Sequence, residues 1–201
     1  MGRKAVDQLI AMVESLNNNR VRLVVIGSGP LEQSLKEESR RRGVADQVRL
    51  TGSVGEEEKF QLLQMSDIYV STSQHEGFGL VFLEAMHCGL PIVCYDQGGQ
   101  TDFLRNEETG YLVPLNKLEH FGESCRLLIG DAGLRKSMAE TNRRLIEDFY
   151  IESCARKYED AFQEAIERCA DGSSERSSDN WGHLLMLTYL SASLLERQLV
   201  V

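Results

Sequence analysis

Short apolar runs alternate with amphipathic stretches along most of this chain. Residues 1–17 place Val6, Leu9, Ile10, Val13 and Leu16 at helical spacing. Val21-Arg22-Leu23-Val24-Val25-Ile26 then reads as a strand, Gly27-Ser28-Gly29-Pro30 as its turn, and 31–42 as a helix. Four further strands are expected at 48–51, 67–71, 91–95 and 110–114. Helices are expected near 56–65, 80–88 and 101–105, and then in succession at about 117–129, 132–148 and 151–168. Gly89 and Pro91 supply the stop chemistry after the 80–88 helix. This alternation predicts an α/β fold, a Rossmann-like and mostly parallel sheet with helices on both faces, followed by C-terminal helices.

In such sheets ligands bind outside the carboxyl ends of the strands. The turn at 27–30 and the loop at 72–79 both fall there, which places Gly27, Gly29, Glu76 and the 80–88 helix start on one rim. Residues 1–170 read as one domain, 171–180 as a polar linker, and 181–201 as a separate helix whose apolar face needs a partner. No strand precedes the first helix, so that helix is expected to be exposed beside an unprotected sheet edge.

Composition narrows the classes. A chain of 201 residues, 42% hydrophobic and 26% charged, suits a globular domain with a short extra piece. The formal net charge of −9 argues against a nucleic-acid partner. Five scattered cysteines, none in a CxxC pair, fit packed thiols in a reducing, cytoplasmic compartment. Residues 1–20 carry charges throughout, so no secretory signal is expected there. No run reaches the roughly 18–20 apolar residues of a membrane span.

Two stretches carry candidate chemistry. Gly27-Ser28-Gly29 between a strand and a helix can hold phosphate on backbone N–H groups. The full dinucleotide fingerprint needs a third glycine where Glu32 stands, so a tight strand-to-helix turn competes with that reading. The segment Glu76-Gly77-Phe78-Gly79-Leu80-Val81-Phe82-Leu83-Glu84 is more specific. Gly77 and Gly79 keep the loop clear of side chains, and the free amides of Leu80 and Val81 at a helix start suit a diphosphate. Glu84 lies about one turn into an apolar helix. A carboxylate there repels phosphate and addresses neutral donors such as ribose hydroxyls. Glu76 faces the polar end of a sugar in the same way. The competing reading is a solvent-facing helix residue and a loop acid.

Here the sequence resembles a family. Glu76 and Glu84, with seven residues between them, match the EX7E signature of retaining, two-domain (GT-B) glycosyltransferases of family 4, glycosyl transferases group 1. The likeness extends over residues 1–150. Lys4-Ala5-Val6-Asp7-Gln8-Leu9-Ile10 resembles the family's KGxDxLI helix, and Val25-Ile26-Gly27-Ser28-Gly29-Pro30-Leu31 its strand-to-GxGP turn. Val48-Arg49-Leu50-Thr51-Gly52-Ser53-Val54, Gly89-Leu90-Pro91-Ile92-Val93, Gly98-Gly99 and Thr109-Gly110-Tyr111-Leu112-Val113 follow in the family's order.

The resemblance implies the nucleotide-sugar-binding, C-terminal domain of such an enzyme. It implies that Glu84 holds the ribose hydroxyls and that Glu76, the catalytic candidate, contacts the donor sugar near its reacting end. Gly77, Phe78, Gly79, Leu80 and Val81 lie along sugar and phosphates, Lys4 supplies positive charge to the diphosphate, and backbone near Val54 lies beside the base. It implies a UDP- or GDP-linked sugar as substrate, no cofactor and no metal. A lipid-linked or polysaccharide acceptor is common in the family, which is compatible with contact at a membrane surface, but the acidic balance of this chain gives that no support. The family's acceptor domain, and a strand with an arginine ahead of the Lys4 helix, are not matched within these residues. One half holds one reactant, so the chain alone is expected to be inactive. The alternatives are a non-catalytic nucleotide-sugar-binding or regulatory module and, more remotely, an NAD-dependent oxidoreductase domain.

Overall fold

A computed structural model describes residues 4–170. The expected linker at 171–180 and helix at 181–201 lie outside the described residues. The elements run α1 (Val6–Leu16), β1 (Leu23–Val25), α2 (Glu32–Arg41), β2 (Val48–Leu50), α3 (Glu56–Gln64), β3 (Tyr69–Ser71), α4 (Leu80–His87), β4 (Ile92–Tyr95) and β5 (Gly110–Val113). The helices α5 (Leu118–Gly130), α6 (Ala132–Leu145) and α7 (Ile151–Ala170) follow.

All three strand ladders are parallel, as the alternating pattern requires. The strands are shorter than the apolar runs suggest, because the ends of those runs serve turns. Val21 N–H donates to Asn18 O at 3.1 Å, and Gly27 N–H leaves the ladder to donate to Gly52 O at 2.9 Å. The helix expected at 101–105 is a single 3₁₀ turn at Gly99–Asp102. The helix expected to run to 148 stops at Leu145, followed by a 3₁₀ turn, Ile146–Phe149.

The ladders fall into two sheets, β1–β2 and β3–β4–β5. A cavity of about 620 Å³ is lined from both, by Leu23 and Val24 of β1 and by Tyr69 and Val70 of β3. The expectation of an exposed first helix is wrong. Leu9, Ile10, Met12 and Val13 are buried, and Val6 and Leu16 pack at the margin of the same core. Strands β1 and β3 and helices α2 and α5 all lie against α1, so its apolar face is covered by elements that follow it in the chain. Each such side chain contributes roughly 1.5–3 kcal/mol when fully buried.

Val93 and Tyr95 of β4, Phe121 and Leu128 of α5 and Met138 of α6 complete this core. Strand β4 is buried along its whole length, which is why its run is apolar without alternation. Cys94 and Cys125 are free and buried, and burial pushes the Cys125 thiol up to about 12, so both are packed and inert. Residues through Arg143 form one compact unit and the described residues from Arg144 belong to a second. In the second, Lys157 Nζ donates to Asp148 O at 3.1 Å, and the Tyr158 and Phe162 rings stack with centroids 6.3 Å apart along α7.

Candidate functional site

The loop after β3 is the first part of the site. Thr72 is buried, and its hydroxyl oxygen lies 3.2 Å from Lys4 O and 2.9 Å from Ala5 O, donating toward both. Ala5, at φ 46°, turns the chain into α1 with no side-chain cap. Lys4 is thereby held at the bend, and its ammonium pairs with Glu76 Oε1. Glu76 is only 7% exposed, so this ion pair is what makes its burial tolerable.

Backbone contact fixes the same loop from the other side. Gly99 N–H donates to Glu76 O at 3.0 Å. A Cβ on Gly99 would stand 2.0 Å from Gly77 O, so only glycine permits this approach. Phe78 is buried with its ring centroid 5.3 Å from that of Phe103. Gly79, at φ +85°, opens α4, and no side chain caps the helix start. Phe82 N–H is satisfied by Gly79 O at 2.9 Å. The amides of Leu80 and Val81, both half-buried, belong to the first turn that has no intrahelical partner.

One helical turn further in, Glu84 Oε1 accepts from Lys59 Nζ at 2.8 Å. Lys59 also donates to Glu56 Oε2 at 2.9 Å, and its ammonium sits 5.1 Å from the Phe60 ring centroid. Burial works against the charged lysine, but the hydrogen bonds to Glu84 and then Glu56 outweigh it, and the pKa lies above the ordinary lysine value. Burial, with the negative charges of Glu76 and Glu84 nearby, pushes the Tyr69 phenol up. Glu84 is therefore neither solvent-facing nor isolated, and it lines the cavity together with Lys59, Val81 and Ile26, the residue just before Gly27.

The first glycine turn is tied to the loop after β2. Besides the Gly27–Gly52 bond, the Ser28 and Ser53 hydroxyls lie 2.8 Å apart. Gly27 has φ +130°, Gly29 would offer a Cβ nothing but open space, and Val54 is half-buried beyond the second turn. The structure thus joins Lys4 to Glu76, and brings Glu84 and the foot of the first glycine turn to one cavity.

Reasoning from sequence missed two contributors. Gly98 and Gly99 read in the sequence as a turn toward the short helix near 101–105 and as a family match, yet they shape the Glu76–Gly77 loop. Lys59 falls within the helix expected near 56–65, with no role assigned to it. Its signal is its spacing: Leu62 and Leu63 lie three and four residues on, so Lys59 shares the apolar face of α3. Among the described residues, no group of three or more His, Cys, Asp or Glu side chains could hold a metal ion, and no helix is long and apolar enough to cross a membrane.

Comparison with known proteins matches these features to a family. The model of the glycosyl transferases group 1 family covers residues 2–145, and the chain belongs to that family. Among its relatives is the N-acetyl-alpha-D-glucosaminyl L-malate synthase of Bacillus anthracis, 27% identical over 165 residues. That alignment covers 82% of this chain but 43% of the relative, so the chain spans less than half of its length. A TarM mutant from S. aureus, solved with fondaparinux, alpha-GlcNAc-glycerol and UDP, superposes with a TM-score of 0.74 at 26% identity, over 81% of this chain and 33% of that one. The C-terminal domain of a Francisella tularensis glycosyl transferase group 1 protein, LpcC, matches with a TM-score of 0.67 at 26% identity, over 74% of this chain and 80% of that domain. The fold is that of the C-terminal half of GT-B glycosyltransferases.

Proposed function

We propose that this chain binds a nucleoside-diphosphate sugar as the donor-binding part of a retaining glycosyltransferase. The observation that carries the reading is the opposite construction of two ion pairs at the ends of one loop-and-helix segment. At Glu76 the acid is buried and the lysine is the more exposed partner; at Glu84 the lysine is buried and the acid is the more exposed partner. The first end offers a cation and helix amides to phosphates. The second offers a carboxylate to neutral hydroxyls.

In this reading the amides of Leu80 and Val81 and the Lys4 ammonium stabilise the leaving diphosphate without a metal. Glu76, released from Lys4 as the phosphates draw that lysine away, accepts from a donor-sugar hydroxyl near the reacting carbon. Glu84 holds the ribose, and the turn at 27–29 with the backbone near Val54 flanks the base. The ribose contact is a charge-assisted hydrogen bond, which contributes roughly 1.5–3 kcal/mol. UDP stands first among the donors to test, because it occupies the related TarM structure. Attack geometry needs an acceptor beside the donor, so transfer is assigned to the longer protein that the relatives represent.

Calorimetric titration with UDP, GDP, ADP and NAD tests the reading. Saturable binding of UDP or GDP, weakened about 10- to 100-fold in Glu84→Ala, is the expected result. Binding of NAD with no response to a nucleoside diphosphate overturns it.

A further inference from the structure

The Lys59 ammonium is almost wholly enclosed, its side chain 5% exposed, and both of its ionic partners are carboxylates. Those partners are unequal. Glu56 is 79% exposed and free to follow solvent, whereas Glu84 is 26% exposed and lines the cavity. A lysine on a flexible stem does not bury its charge for the sake of a surface acid, since an exposed pair contributes little. The arrangement makes sense from the other direction. Glu84 lies within one turn of the helix start that suits a diphosphate, so its charge opposes the ligand unless a cation balances it.

We infer that Lys59 is a positioning residue, which fixes Glu84 through Oε1 and leaves Oε2 to receive the paired hydroxyls of a ribose. This inference rests on the donor-binding reading given above. Lys59 donates to Oε1, and no hydrogen bond to Oε2 is found among the described residues. A carboxylate held by one oxygen from behind presents the other in a fixed direction, which is what recognition of two adjacent hydroxyls requires. Lys59 lines the same cavity, but its ammonium is held by both acids, so it acts through Glu84. Through Glu84 it sets how strongly the 2′ and 3′ hydroxyls are recognised, and by balancing that acid's charge it also eases the approach of the diphosphate; the ratio of UDP to 2′-deoxy-UDP affinity isolates the first effect. The amides of Leu80 and Val81, and Lys4 at the far end of the segment, do not depend on it.

The test is calorimetry of the whole chain with UDP and 2′-deoxy-UDP. The unaltered protein should prefer UDP by about 10- to 100-fold, the span of one charge-assisted hydrogen bond. In Lys59→Met that preference should collapse to about threefold or less, as it should in Glu84→Gln, and the double variant should add nothing further. Lys59→Arg should restore most of the preference, and Glu56→Gln should leave it intact. If Lys59→Met does not fold, Lys59→Gln reads the same ratio. A full UDP preference retained in the neutral variants overturns the inference and leaves donor binding standing. Absence of UDP binding by the unaltered protein removes both.

Discussion

The two ends of the 76–84 segment are built as mirror opposites. At one end Glu76 is walled in and Lys4, with its side chain 27% exposed, is the group a ligand can reach. At the other Lys59 is walled in and Glu84 is the group a ligand can reach. Both are lysine–glutamate pairs at contact distance, and counted as salt bridges they are the same. Their burial makes them different instruments, one presenting positive charge and the other negative. A charge pair is thus defined chemically by which partner is left accessible. Two such pairs, a loop and one helical turn apart, give a site with a sense of direction.

The comparison can be broken most severely at Gly99. A side chain there strikes the Gly77 carbonyl, so Gly99→Ala must displace the loop that carries Glu76. Overpacking against backbone of this kind costs about 3 kcal/mol, and urea unfolding should show that loss together with lost UDP binding. Of similar size in stability, but without displacing the loop backbone, is Lys4→Met, which strands a buried carboxylate and should cost roughly 3 kcal/mol. Lys59→Met strands only the more accessible Glu84 and should cost distinctly less by the same measurement. Equal losses would erase the asymmetry. Glu84→Ala leaves the enclosed Lys59 ammonium with only the exposed Glu56, so it should lower stability as well, and it should weaken UDP by roughly 1.5–3 kcal/mol.

The smallest effect is in pH dependence. The Lys59 pKa is raised on folding, so its contribution to stability is fully present below the ordinary lysine value of 10.5 and is lost as pH rises through the higher folded-state value. A stability profile of the unaltered chain should therefore fall in alkali, and Lys59→Met should flatten that fall.

Much of the fold could be read from periodicity because each element speaks through neighbouring residues. The runs at 21–26 and 91–95 and the stripe Leu9, Ile10 and Val13 need no distant information. What could not be read depends on pairings across the chain. The covering of α1 needs α2, α5, β1 and β3 together, so a helix without a preceding strand looked exposed. The break between β1–β2 and β3–β4–β5 is a matter of which edges meet, and apolar runs do not encode it. At the site, Glu76 and Glu84 stood out by spacing and glycine context. Lys4 entered through the family's helix pattern, but its pairing with Glu76, 72 residues away, did not, and neither did that of Lys59 with Glu84, 25 residues away.

The central claim is that the two ends address different parts of one nucleotide. A crystal structure of the chain soaked with UDP tests it most directly. The account predicts phosphate oxygens at the Leu80 and Val81 amides and beside Lys4, with ribose hydroxyls within about 3 Å of Glu84, the reach of a hydrogen bond. A ribose seated away from Glu84, with phosphates remote from the start of α4, would contradict it.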